Sequence, residues 1–192
     1  MTAVDDRPVA SIADLYENLH VPEGFKAELL RGEIVMMAGP DWVHNMIVLQ
    51  VQKQILRLER WYPLQTQDLA IPGESSEPQP DLVVHEEGAF EGPGRLVPAP
   101  AVTLVMEVVS KTSADRDYRL KPSMYAAGQV DAYLIVDPFA ARCVLLTEPT
   151  GSGEAARYQV ERTAKFGDPL PVEVLDLTLD TSLFRTLPSN PG

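Results

Sequence analysis

Residues 102–109 (VTLVMEVV) constrain the fold of this chain more than any other segment. Aliphatic side chains occupy both alternating faces of the predicted strand, which is typical of a central strand covered on both sides. Glu107 is the one charged residue in the run, and alternation places it on the same face as Val105 and Val109. Burying an ionised carboxylate there costs several kcal/mol unless a cation or a metal ion compensates it. The sequence therefore requires a positive charge near Glu107.

A second carboxylate, Asp81, opens the apolar run 81–84 directly after Pro80. If this run pairs beside strand 102–109, Asp81 and Glu107 can point at the same place. Two converging carboxylates repel each other, and a divalent ion relieves the repulsion. Mg²⁺ prefers hard oxygen ligands and usually takes only one or two carboxylates, with water and phosphate completing its shell. The residues alone leave two interpretations open: a Mg²⁺ or Mn²⁺ site, and a structural salt bridge from Glu107 to Lys or Arg.

The remaining pattern predicts an α/β protein with helices packed on a mixed sheet. Apolar residues at three- and four-residue steps predict a helix from His44 to about Trp61, ended by Pro63. A second helix is predicted at about 115–128 and a short capped one at 11–19. Strands are predicted at 33–37, 64–71, 81–85, 102–109, 132–136 and 142–147, with edge strands at 157–162 and 172–177. Residues 25–30 are predicted to form a short helix or an irregular segment.

The length of 192 residues fits one domain, which we expect at 15–186 between flexible tails at 1–14 and 187–192. Cys143 is the only cysteine, so no intrachain disulfide can form. The sequence contains no signal-peptide pattern and no apolar stretch of roughly 20 residues. We therefore expect a cytoplasmic protein that does not enter the membrane.

The formal charge of −12, from 16 basic and 28 acidic residues, argues against a nucleic-acid partner. Net charge is a sum over the whole surface, however, whereas an enzyme needs only a local basic strip beside its metal. Between Lys111 and Lys121, four basic residues stand against two acidic ones. This local excess could serve a phosphate backbone, or it could be an ordinary solvated segment of mixed charge.

Several short motifs in the middle of the chain form a recognisable series. In order they are 28–35 (ELLRGEIV), His44, 80–84 (PDLVV), 107–110 (EVVS), Asp117, Lys121, 125–128 (YAAG) and 133–138 (YLIVDP). Their order and spacing resemble the Uma2 putative restriction endonuclease family, a branch of the PD-(D/E)XK nuclease superfamily, over roughly residues 20–165. The resemblance implies a restriction-endonuclease-like mixed β-sheet flanked by α-helices, and Mg²⁺-dependent (or Mn²⁺-dependent) cleavage of phosphodiester bonds in DNA.

The resemblance also implies roles for individual residues. Asp81 corresponds to the aspartate of the first half-motif and Glu107 to the acidic residue of the second, and both would bind the metal. The usual lysine two residues later is replaced by Val109, and Lys121 on the following helix would take its place. Glu28 matches a glutamate that completes the metal site or orients a ligand. All four residues are thus expected to be catalytic.

Two further residues have an open interpretation. Tyr125 lies four residues after Lys121 on the same helix face, so it could contact a phosphate or pack the helix on the sheet. His44 begins a helix and could contact substrate, cap the helix or pack. A homodimer is expected if both DNA strands are cut. Two rival functions remain at this point: a nuclease-fold binding or regulatory module without efficient cleavage, and a metal-dependent hydrolase of a small phosphodiester.

Overall fold

The computed structural model describes residues 11–188, so positions 1–10 and 189–192 of the expected tails lie outside the described residues. The helices are α1 (Ile12–Glu17), α2 (Trp42–Ile55) and α3 (Lys121–Ala127). The strands are β1 (Phe25–Leu30), β2 (Glu33–Ala38), β3 (Trp61–Leu64), β4 (Asp68–Ala70), β5 (Leu82–Glu86), β6 (Leu96–Pro98), β7 (Leu104–Val108), β8 (Ala132–Asp137), β9 (Arg142–Thr150), β10 (Arg157–Lys165), β11 (Leu170–Val172) and β12 (Leu177–Leu179). Across residues 11–188, no helix is both long and apolar enough to cross a membrane.

A six-stranded mixed sheet in the order β10-β9-β8-β7-β5-β3 forms the centre of the fold. Its neighbouring strands are antiparallel except for β7 and β8, which are parallel. All five residues of β7 are buried, which confirms the prediction of a central strand at this position. Helix α2 packs its apolar side, including Ile47 and Val51, on one face, whereas Met124 and Tyr125 of α3 pack on the other. Glu107 therefore lies on the face that α3 covers.

The segment 25–30 differs from its prediction as a helix or an irregular approach. It forms strand β1, which pairs antiparallel with β2 so that Leu30 is opposite Glu33. The two residues between them, Arg31 and Gly32, have φ angles of 48° and 79°. Positive φ at both central positions matches the twist of a two-residue hairpin, which explains why this segment is extended. The hairpin brings β1 to the edge of the candidate site.

Helix α2 ends earlier than predicted. It stops at Ile55, a 3₁₀ turn follows, and Glu59 adopts a left-handed conformation with φ 54°. Pro63 does not end the helix but lies inside β3, where its missing N–H is tolerated because β3 is the last strand of the sheet.

The predicted strand at 64–71 is divided between β3 and β4, and β4 belongs to a small parallel sheet with β6. The predicted edge strand at 172–177 is also wrong, because β11 and β12 form a separate hairpin. The edge position of β10 is confirmed.

The helix predicted at 115–128 consists of a π-helical turn (Arg116–Leu120) followed directly by α3. The N–H of Lys121 bonds to the carbonyl of Arg116, five residues earlier. Pro122 has no N–H, and its ring would crowd the carbonyl four residues before it, so a wider turn at this point relieves the conflict. Lys121 consequently begins α3, and its side chain contacts Glu107 of the sheet.

Gly128, which follows α3, has no room for a side chain. A Cβ there would lie 2.9 Å from Cβ of Ala99 and 3.2 Å from Cδ1 of Ile71. We therefore expect Gly128→Ala to lower the free energy of unfolding by about 1–3 kcal/mol, the usual cost of overpacking. Urea denaturation measures the change. Gly94→Ala is the control, because its nearest contact would be 3.9 Å; equal stability of the two variants would contradict the expected clash.

Candidate active site

A cavity of about 290 Å³ opens where β1, β5, β7 and the N-terminus of α2 approach one another. Four of the residues singled out from the sequence line it: His44, Asp81, Glu107 and Lys121. The structure adds a residue that the sequence did not suggest, Lys26 of β1. Glu28 and Tyr125 lie behind this lining and are completely buried. The residues of the motif series thus come together in three dimensions.

Asp81 is fixed at the start of β5 by its neighbours on β7. Leu82 pairs with Met106 in the antiparallel register, which sets Asp81 beside Glu107. The N–H of Val108 donates to Oδ2 of Asp81 over 2.8 Å, while Oδ1 is 3.2 Å from Nε2 of His44. Burial raises the pKa of Asp81, but the hydrogen bond with His44 and the charge of Lys26 outweigh it and lower the pKa to about 2. Asp81 is therefore ionised at neutral pH.

Glu107 is only 3% exposed and accepts two hydrogen bonds at Oε1. Nζ of Lys121 lies 2.6 Å away and the hydroxyl of Tyr125 donates over 2.7 Å. Burial raises the pKa of Glu107 above its ordinary value; the adjacent ammonium of Lys121 opposes this rise, and Asp81 adds to it. The salt-bridge interpretation of Glu107 is confirmed by this contact with Lys121. It is compatible with metal binding, because Glu107 also lines the cavity.

Lys121 is 2% exposed and lies among three carboxylates. Besides Glu107, Oε2 of Glu28 is 3.4 Å and Oδ1 of Asp117 is 3.7 Å from its Nζ. Burial lowers the pKa of the Lys121 ammonium, but these carboxylates outweigh that effect and raise the pKa above its ordinary value. Lys121 is thus a permanently charged, immobilised ammonium.

Glu28 and Asp117 lie beside Lys121, and each has one carboxyl oxygen that accepts a hydrogen bond and one that accepts none from the described part of the chain. Glu28 accepts the N–H of Gln79 at Oε1 over 3.0 Å, and Asp117 accepts the Ser113 hydroxyl at Oδ2. Within residues 11–188, Oε2 of Glu28 and Oδ1 of Asp117 are buried and have no hydrogen-bond partner. Burial raises the pKa of Asp117. The cluster contains four carboxyl groups, those of Glu28, Asp81, Glu107 and Asp117, and two lysines, Lys26 and Lys121.

The two residues with an open interpretation have different positions. The backbone N–H of His44 donates to Oδ1 of Asp41, the N-cap of α2, over 2.9 Å. The His44 ring contacts Asp81. His44 therefore lies in the capped first turn of α2 and also lines the cavity. Tyr125 is fully buried and forms an edge-to-face pair with Tyr133. Its position supports packing and orientation of Glu107, and it does not extend to the cavity where a phosphate would lie.

The donor set fits a hard divalent cation. Asp81 and Glu107 present carboxylate oxygens to one cavity. Behind it, Oε2 of Glu28 and Oδ1 of Asp117 accept no hydrogen bond from positions 11–188, and their contact is with the ammonium of Lys121. Among the residues that the structure describes, no group of three or more His, Cys, Asp or Glu side chains is placed to hold a metal ion. Mg²⁺ usually takes only one or two protein carboxylates and fills the rest of its octahedron with water and substrate oxygens.

The mixed sheet, its covering helices and the carboxylate-lined cavity define a protein of the restriction-endonuclease-like class. The chain belongs to the Uma2 family, whose sequence model is described as "Putative restriction endonuclease" and matches residues 13–182. Its fold is similar to that of a crystal structure from Anabaena variabilis ATCC 29413, described as a putative nuclease belonging to DUF820. The TM-score is 0.68 at 13% identity, and the match covers 91% of this chain and 96% of the other. No curated protein matches the chain significantly.

Proposed function

We propose that this protein is a Mg²⁺- or Mn²⁺-dependent endonuclease that hydrolyses phosphodiester bonds in DNA. The observation that carries the proposal is the meeting of Asp81, Glu107 and the buried ammonium of Lys121 at one cavity. Membership of a family described as "Putative restriction endonuclease" supports the reaction class. With a formal charge of −12, we expect DNA contacts only near the site, where Lys26 and Lys111 also line the cavity.

The residues divide into those that touch the reacting groups and those that hold them in place. Asp81 and Glu107 would bind the divalent ion, whose charge would favour deprotonation of water and attract the scissile phosphate. Lys121 would orient the attacking water and offset negative charge on the phosphate in the transition state. Glu28, which the resemblance implied to be catalytic, does not line the cavity. It and Tyr125 would act as positioning residues, because they contact Lys121 and Glu107 from behind the cavity lining.

A hydrolase of small phosphodiesters is the second candidate. The cavity of about 290 Å³ has the volume of a small-ligand pocket. The acidic surface would also repel a long polyanion more than a single phosphodiester. Both candidates use the same residues and chemistry, so the substrate alone separates them.

Incubation with supercoiled plasmid, single-stranded DNA, RNA and bis(p-nitrophenyl) phosphate tests the proposal. Purified protein is expected to convert the plasmid to nicked or linear product with Mg²⁺ or Mn²⁺, and chelator is expected to stop the reaction. Hydrolysis of the small ester without plasmid cleavage would favour the second candidate. Retardation of DNA in a gel without cleavage would instead indicate a binding module.

A further inference from the structure

Two lysines reach the carboxylates of the site from different elements, and they are held in different ways. Lys121 is 2% exposed and has a 2.6 Å bond to Glu107. Lys26 is 27% exposed and donates over 3.2 Å to the carbonyl of Gln79. Its distances to carboxylate oxygens are longer: 3.5 Å to Oδ1 of Asp81 and 3.7 Å to Oε1 of Glu28. Lys26 can therefore move towards solvent, whereas Lys121 cannot.

The contact of Lys26 falls on the oxygen that a metal ion would need. Oδ2 of Asp81 already accepts the N–H of Val108, a bond that fixes the carboxylate to the backbone of β7. Oδ1 is the atom that faces Lys26 and His44. A divalent ion binds a carboxylate oxygen at roughly 2 Å, so an ammonium 3.5 Å from the same oxygen would be a like charge at close range. The two cations compete for one place.

Lysine is an ammonium at neutral pH in ordinary surroundings. Two carboxylate oxygens lie close to the Nζ of Lys26, Oδ1 of Asp81 at 3.5 Å and Oε1 of Glu28 at 3.7 Å. The ammonium thus compensates Asp81 as long as no other cation is present. Its four-carbon stem and partial exposure allow it to withdraw along the cavity that it lines.

We propose that Lys26 is an exchangeable cation: it neutralises Asp81 in the metal-free protein and leaves when a divalent ion binds. The inference rests on the proposed function in taking Asp81 as a metal ligand. Lys26 lowers the affinity of the site for a divalent ion, because metal binding must displace an ammonium that stabilises the metal-free fold.

Calorimetric titration with Mn²⁺ tests the exchange without relying on activity. Lys26→Gln keeps a donor for the Gln79 carbonyl but removes the charge, and we expect its Kd for Mn²⁺ to fall at least about tenfold. Lys26→Arg keeps the charge and is expected to bind close to wild type. Lys53→Gln on α2 removes a lysine that does not line the cavity and should leave the Kd unchanged.

Thermal unfolding gives a second readout on the same variants. Lys26→Gln should melt below wild type in chelator and gain more than wild type from saturating Mn²⁺, since bound metal stabilises by mass action. If folded Lys26→Gln has a Kd for Mn²⁺ equal to or higher than that of wild type, the proposal that Lys26 is displaced by metal is wrong. If wild type binds no Mn²⁺, or Asp81→Asn binds it equally well, the metal assignment itself fails. That result is distinct from a failure of Lys26 alone, in which wild type binds, Asp81→Asn does not, and Lys26→Gln resembles wild type.

Discussion

Asp81→Asn is expected to reduce metal-dependent cleavage by at least about a thousandfold, at the upper range for losing a preorganised charge interaction. The amide keeps the shape of the side chain but loses the negative charge that would hold the ion. Initial rates of plasmid nicking at saturating Mg²⁺, compared for both proteins at equal concentration, measure the effect.

The variant should remain folded, although not at wild-type stability. The folded-state pKa of Asp81 is about 2, against an ordinary 3.8, so its ionised form contributes about 2 kcal/mol above pH 4. That contribution is lost as the pH falls from 4 to 2, and it is absent from Asp81→Asn at any pH. Asp131→Asn makes the same chemical change at an exposed loop position. Equal cleavage by wild type and Asp81→Asn would show that the activity comes from elsewhere.

Lys121→Ala is expected to lower cleavage by at least about a hundredfold, because it removes the ammonium that, in the proposed reaction, would offset charge on the phosphate. It also leaves Glu28, Glu107 and Asp117 around an empty position, which costs about 3–5 kcal/mol in comparable buried pairs. The folded fraction must therefore be measured by circular dichroism at the assay temperature. Stabilisation by metal should persist, since Lys121 is not a proposed ligand.

Two other lysines test whether this effect is specific. Lys111 lies on the exposed rim of the cavity, and Lys111→Ala is expected to have a much smaller effect that falls mainly on KM. Lys165→Ala, on the edge strand β10, should have none. If Lys111 proves essential while Lys121 is dispensable, the assignment of the catalytic lysine to α3 is wrong.

The sequence predicted the parts of the fold that local patterns determine. The apolar run around Glu107 identified the central strand, and the helix predicted at about 115–128 contains α3. The bounds of α2 and β3 were wrong because Pro63 is tolerated on an edge strand, and strand order cannot be seen in a single sequence.

The missed contacts of the site are long-range ones. Lys26 was overlooked because residues 25–30 carried no clear strand pattern, and the Arg31–Gly32 turn that makes β1 extended was not recognised. The bond from the Gln79 N–H to Glu28 joins residues 51 positions apart. Only the packing of the β1–β2 hairpin against the segment before β5 brings such groups together. A strand prediction for β1 would have placed Lys26 and Glu28 on one face, two residues apart.

The parallel pairing of β7 with β8 also determines where the chain can accept extra residues. Parallel neighbours need a crossover connection, and here residues 109–131 form it. The same segment carries Lys121, which lies 14 positions after Glu107 in the sequence and contacts it. A residue inserted before Lys121 would turn the ammonium away from the carboxylates. The exposed loop between β5 and β6 carries none of the proposed site residues, so we expect it to tolerate the insertion of tags or whole domains. In this fold, the distance along the chain between an acid and its lysine is as much a part of the site as the two side chains.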